Sequence, residues 1–86
     1  MNVQNMISSK HNPIANQFII TDGNSTIFQS YRSVIAKIQD GKTYLDEKYW
    51  NYSNTTSKYR NKFLRLTTKE AEHKIASGEI ILTDLN

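Results

Sequence analysis

Apolar positions divide the chain into three stretches. Residues 1–16, MNVQNMISSKHNPIAN, are mostly polar and follow neither a two-residue nor a 3.6-residue period. They read as a mobile amino-terminal arm, with regular structure expected from Gln17. Phe18-Ile19-Ile20-Thr21 is then a short β-branched and aromatic run, followed by Asp22-Gly23 and by Ser25-Thr26-Ile27-Phe28. Asp-Gly between two such runs signals a hairpin, because both residues tolerate positive φ. The device recurs: Val34-Ile35-Ala36-Lys37-Ile38 leads through Asp40-Gly41 to Thr43-Tyr44-Leu45. Two hairpins in succession predict a four-stranded antiparallel meander.

After Leu45 the period changes. Ser53, Thr55 and Thr56 offer hydroxyls that can cap free backbone N–H groups at a helix start. Tyr59, Phe63 and Leu66 follow at helical spacing. Thr67-x-x-Glu70 fits a capping box for a second helix running through Ala71, Ile75 and Ala76 and stopping at Gly78. Glu79-Ile80-Ile81-Leu82-Thr83 reads as a last strand.

The expected fold is α+β, with a small antiparallel sheet of four to five strands and one or two C-terminal helices packed on one face. Residues 17–86 form its single domain. The core candidates are Phe18, Ile20, Ile27, Val34, Ala36, Ile38, Leu45, Tyr59, Phe63, Leu66, Ile75 and Ile81, with Trp50 also read as buried.

Composition narrows the class. Eighty-six residues make one domain near the lower end of what folds alone. The absence of cysteine excludes disulfides, thiol catalysis and cysteine-ligated zinc. The amino terminus lacks the apolar run of a signal peptide, and no stretch reaches membrane-spanning length. The default expectation is the cytoplasm.

Charge is sorted along the chain. Residues 1–47 are neutral, residues 48–69 carry +6 with no acid, and residues 70–86 carry −3. The basic stretch, KYWNYSNTTSKYRNKFLRLTTK, holds Lys48, Lys58, Arg60, Lys62, Arg65 and Lys69 among Tyr49, Trp50, Tyr52, Tyr59 and Phe63. At about 100° per residue, Lys58, Lys62 and Arg65 line one stripe of a helix and Tyr59, Phe63 and Leu66 another, with Arg60 on the far side. Two readings stay open: an ordinary solvated helix face, or an electrostatic contact surface. A merely soluble helix usually mixes signs and gains i,i+4 pairs, which this stretch cannot do. The candidate binding surface is Lys58, Arg60, Lys62, Arg65 and Lys69, with Tyr49 and Tyr52 as rings on which bases could stack.

No reaction is legible. Asp40 with Asp46-Glu47-Lys48 has the outline of a metal-dependent nuclease, where two carboxylates hold a divalent cation, but both parts lie within one predicted hairpin. Glu70-x-x-His73 is one ligand pair where a carboxylate di-metal site needs two. The three glycines are each explained by a turn or cap, so no phosphate-binding glycine loop exists. The expectation is a non-enzyme without cofactor or metal.

One stretch carries a resemblance. It runs Ile27-Phe28-Gln29-Ser30-Tyr31, Ile35-Ala36, Gly41-Lys42 and Tyr44-Leu45-Asp46, then Tyr49-Trp50, Tyr52-Ser53-x-Thr55-Thr56-x-Lys58-Tyr59-Arg60 and Phe63-Leu64. This pattern resembles a family of small uncharacterised proteins encoded largely by bacteriophages and other mobile elements. The resemblance implies a setting rather than an activity. Small mobile-element proteins of this kind often bind host machinery, as anti-CRISPR proteins do, or bind nucleic acid. The expected function is that of an accessory protein acting by occlusion, as an inhibitor of a host nucleic-acid-targeting defence complex. The expected partner is a host protein or ribonucleoprotein complex, with direct binding of DNA or RNA phosphates as the alternative, and no membrane.

Overall fold

The computed structural model describes all of Met1–Asn86. Strands β1 (Asn2–Ile7), β2 (Pro13–Asp22), β3 (Ser25–Ser30), β4 (Ser33–Gln39) and β5 (Lys42–Asp46) are followed by helices α1 (Asn54–Leu64) and α2 (Thr68–Ser77) and by strand β6 (Ile80–Thr83). The strands make one six-stranded sheet in sequence order, so the class is α+β as expected, with more strands than the four to five anticipated. The first five strands form an antiparallel meander, while β6 pairs parallel to β5. The sheet is therefore mixed, and α1 and α2 form the crossover that a parallel connection requires.

The sixth strand comes from the segment read as an arm. Val3, Gln4 and Asn5 oppose Ile20, Ile19 and Phe18, and β2 begins at Pro13 rather than Gln17. A register shift between Asn5 and Ile7 breaks the two-residue alternation that would have marked β1. Pro13 is tolerated because it is the first residue of its strand.

Both Asp-Gly hairpins form, with different turns. Asp40 (φ 51°) and Gly41 (φ 77°) are the two loop residues between Gln39 and Lys42. In the earlier hairpin Asp22 still pairs with Ser25, so the loop is Gly23-Asn24, with positive φ at Gly23 alone (58°). A third two-residue loop, Tyr31-Arg32, joins β3 to β4.

Both helices cover the same face of the sheet. Phe28, Ile35, Ala36, Leu45, Ile80 and Met6 are buried there, and Ile19, Tyr59, Phe63, Leu64, Leu66 and Ile75 pack against them. Phe28 and Phe63 stack with ring centres 5.7 Å apart. A bulge sets part of this core: Phe28 opposes Ala36 but Gln29 opposes Val34, leaving Ile35 as the extra residue of β4. Consecutive residues Ile35 and Ala36 are consequently both inaccessible to solvent.

The expected core is corrected here. Cross-strand partners share a face, and Ile19, Phe28, Ala36 and Leu45 are successive partners on the helix side. Phe18, Ile20, Ile27, Val34 and Ile81 therefore lie on the opposite face, which no helix covers. The continuous run Phe18-Ile19-Ile20 presents apolar residues to both sides and hides which parity is inward.

Candidate functional site

The helix caps follow from local chemistry. Ser53 Oγ accepts from Thr56 N (3.1 Å) and starts α1. The Thr67–Glu70 box is complete: Glu70 N donates to Thr67 Oγ1 (3.1 Å) and Thr67 N to Glu70 Oε1 (2.9 Å). Hydrogen bonds from the Thr67 backbone N–H and side chain hold the Glu70 carboxyl below its ordinary value. Gly78 ends α2 in the left-handed region (φ 86°).

Helix α1 turns a polar side inward. Thr56 and Arg60, one turn apart, are its buried residues. Thr56 Oγ1 shares a hydrogen bond with Ser30 Oγ of β3 (3.0 Å), and Ser30 lies opposite Gln17, itself buried. Arg60 is 0 % exposed and is the largest fully buried side chain. It is consequently removed from the candidate binding surface. Its guanidinium donates to Trp50 O, Asn51 Oδ1 (3.3 Å), Asn61 Oδ1 (2.9 Å) and Thr68 Oγ1 (2.9 Å), and it lies 5.0 Å from the Trp50 ring centre. No carboxylate touches it. Burial lowers its pKa, and the field of Glu72 opposes that shift. Arg60 thus ties the 47–53 loop, α1 and the start of α2 into one unit.

Asp46 plays the matching part at the end of β5. It is 1 % exposed. Oδ2 accepts from Tyr49 N (2.8 Å) and Lys48 N (3.1 Å), and Oδ1 from Leu85 N (2.8 Å) and Asn86 Nδ2 (3.0 Å). Burial alone would raise its pKa, but the four donors outweigh it and hold the carboxyl below its ordinary value. Asn86 also bonds both backbone groups of Val34, so residues 84–86 are fastened to β4 and β5. An Asp46 so fully engaged has no oxygen directed at a metal. No three His, Asp or Glu side chains cluster anywhere.

What remains of the basic surface is the solvent side of α1 with three cations from the segments that flank it. Lys58 and Lys62, one turn apart, are exposed on the side opposite Thr56 and Arg60. Arg65 is exposed but sits outside the helix, as its C-cap, in the left-handed region at φ 59°. Lys69 is exposed in the first turn of α2, and Lys48 in the loop before α1. None of these five has an acidic partner, since the molecule's one ion pair is Lys74–Glu79 at 2.7 Å. Lys48 Nζ and Lys58 Nζ lie over the rings of Tyr49 (5.4 Å) and Tyr59 (5.3 Å). Tyr52 is 49 % exposed and meets half-buried Tyr49 edge-on at 5.5 Å.

A groove of about 430 Å³ runs along the far end of the helices, lined among others by Ile38, Thr43, Leu66 and Ile80, with the Lys74–Glu79 pair beside it. No helix is long and apolar enough to cross a membrane.

The match to a known family covers all of this arrangement except its last five residues. A family of unknown function (DUF8033) matches residues 1–81, and the chain belongs to it. No curated protein and no solved structure matches the chain.

Proposed function

From membership of a family without an assigned activity, we propose that this protein works by binding, through the solvent side of α1, to the phosphates of a nucleic acid. The observation that carries this reading is the set Lys58, Lys62, Lys48, Arg65 and Lys69, all exposed and all without an acidic partner. Cations left without acidic partners on the surface of a small domain create a positive field that draws in a polyanion. Tyr52, exposed beside Lys48-Tyr49, adds a ring on which an unpaired base can stack. The proposed setting is a bacteriophage or mobile element, and the phosphates are those of bare DNA or RNA or of the nucleic acid in a host defence complex, which the protein would occlude.

Fluorescence anisotropy with single- and double-stranded DNA and RNA, from 50 to 300 mM salt, tests this reading. Affinity should fall linearly in log–log coordinates, because each neutralised phosphate releases counterions. The double substitution Lys58→Ala, Lys62→Ala should reduce the slope by roughly 1 to 2. Binding only to an assembled host complex selects the occlusion arm. Salt-independent binding, or none to either target, overturns the proposal.

A further inference from the structure

The sheet has a second face that no helix covers; residues 84–86 reach only its end, at Asp46. Register assigns its residues without ambiguity. Val3, Ile20, Ile27, Lys37, Tyr44 and Ile81 are successive cross-strand partners from β1 to β6, forming one row across all six strands. Two residues along, on the same face, lies a second row: Asp22, Ser25, Gln39 and Lys42, from β2 to β5. Five of the six residues in the first row are apolar or aromatic. Val3 is 55 % exposed and Ile81 is 41 % exposed, and the four between them are half-buried. An apolar row of this length on a solvent face marks an interaction surface.

We propose that the surface is covered by a second copy of this chain, in a face-to-face sheet sandwich whose two-fold axis runs parallel to the strands between β3 and β4. The charges select that arrangement. The axis places β1 over β6, β2 over β5 and β3 over β4 of the second copy. Val3 then meets Ile81, Ile20 meets Tyr44, and Asp22 meets Lys42, each contact occurring twice as an isologous interface demands. Asp22 and Lys42 occupy equivalent places on β2 and β5 with opposite sign, so one operation forms two ion pairs. A two-fold perpendicular to the strands along the first row would stack Lys37 on itself. Under the chosen axis Lys37 lies over Ile27, its stem covering the isoleucine and its ammonium reaching toward the open rim. Aligned sheets pack at about −30°, an offset that the long Lys42 side chain can span.

Size sets the expected strength. Six strands at about 4.8 Å and five residues of length give roughly 500 Å² per copy, or about 1,000 Å² in the pair, near the lower limit for a specific interface. A dimer with dissociation in the micromolar range, on the order of 1–100 μM, is expected. It would leave both helical layers outward, with the two lysine stripes on opposite sides.

Sedimentation equilibrium of the full chain from about 5 to 500 μM, with the fold followed by circular dichroism, tests the proposal. A monomer–dimer equilibrium should be seen. Ile20→Glu or Ile27→Glu should weaken it at least tenfold without loss of secondary structure, and Lys37→Leu should tighten it. Lys42→Asp should weaken the dimer, and adding Asp22→Lys to that variant should restore it. A monomer at every concentration overturns the proposal, as does a dimer indifferent to both glutamate substitutions. Failure of the paired charge swap to restore association overturns the proposed axis.

Discussion

Arg60 lies against Trp50 twice over, with its guanidinium 5.0 Å from the ring centre and one of its N–H groups on the Trp50 carbonyl. A residue that counts as surface charge in the sequence is thus an internal brace. Arg60→Ala would strand the Trp50 carbonyl and Asn61 Oδ1 and leave Thr68 Oγ1 with Asn61 Nδ2 alone, at a cost of roughly 2–4 kcal/mol. That is a large share of the 5–15 kcal/mol typical of a domain. Arg60→Lys should recover less than half of it, since an ammonium cannot reproduce the guanidinium fork. Urea unfolding of the two variants measures both values.

The Ser30–Thr56 bond joins the sheet to α1 with both residues buried. Thr56→Val and Ser30→Ala each leave the other hydroxyl without this partner, at about 1–3 kcal/mol. The double variant should cost less than the sum, by roughly 0.5–3 kcal/mol. A double-mutant cycle that adds up would show the bond to be energetically idle.

Asp46 gives the fold an acid limit. Its carboxyl titrates lower in the fold than in the unfolded chain, so the unfolded chain binds the proton more tightly. The stabilisation is complete above the ordinary aspartate range and is lost as pH falls through the folded value. Thermal stability should therefore drop as pH falls below about 4. Asp46→Asn should be less stable at pH 7, by about 1.5–3 kcal/mol, and should show a flatter acid limb.

Tyr31 stands at φ 56° in the β3–β4 loop, where a side chain with a Cβ is strained. It is 52 % exposed, so little packing compensates. Tyr31→Gly should raise stability by about 0.5–1 kcal/mol, the relief of strain exceeding the added freedom of the unfolded chain. Calorimetric melting of the single variant reads this directly.

Elements with strong local chemistry are legible in the sequence alone. Asp40-Gly41 gives its turn, Ser53 its cap, and Thr67-x-x-Glu70 with Gly78 both ends of α2. Features decided by tertiary context are not. The apolar triplet Phe18-Ile19-Ile20 conceals its inward residue, and the bulge at Ile35 resets the parity midway along β4. Strand β1 exists because Val3, Gln4 and Asn5 find partners in β2, not because their own pattern is strand-like. In the candidate site, helical spacing put Lys58 and Lys62 on one exposed side of α1, where they lie. It misplaced Arg65, because the left-handed C-cap ends the helix at Leu64, two residues before the last position of the period, Leu66. The spacing of Thr56 and Arg60 on one helical side was the only sequence signal for the buried polar contact, and a surface stripe has the same spacing.

The parallel β5–β6 pair concentrates the kinetic difficulty of folding in one step. Each pair from β1 to β5 joins strands adjacent in sequence, so these pairs can zip sequentially with short loops to close. Leu45 and Leu82 meet only after the intervening chain has folded into two helices and turned back across the sheet. That closure carries the largest chain-entropy cost in the molecule and delays its reward until the end. The slowest hydrogen-exchange protection to appear during refolding should accordingly be that of the amides between β5 and β6.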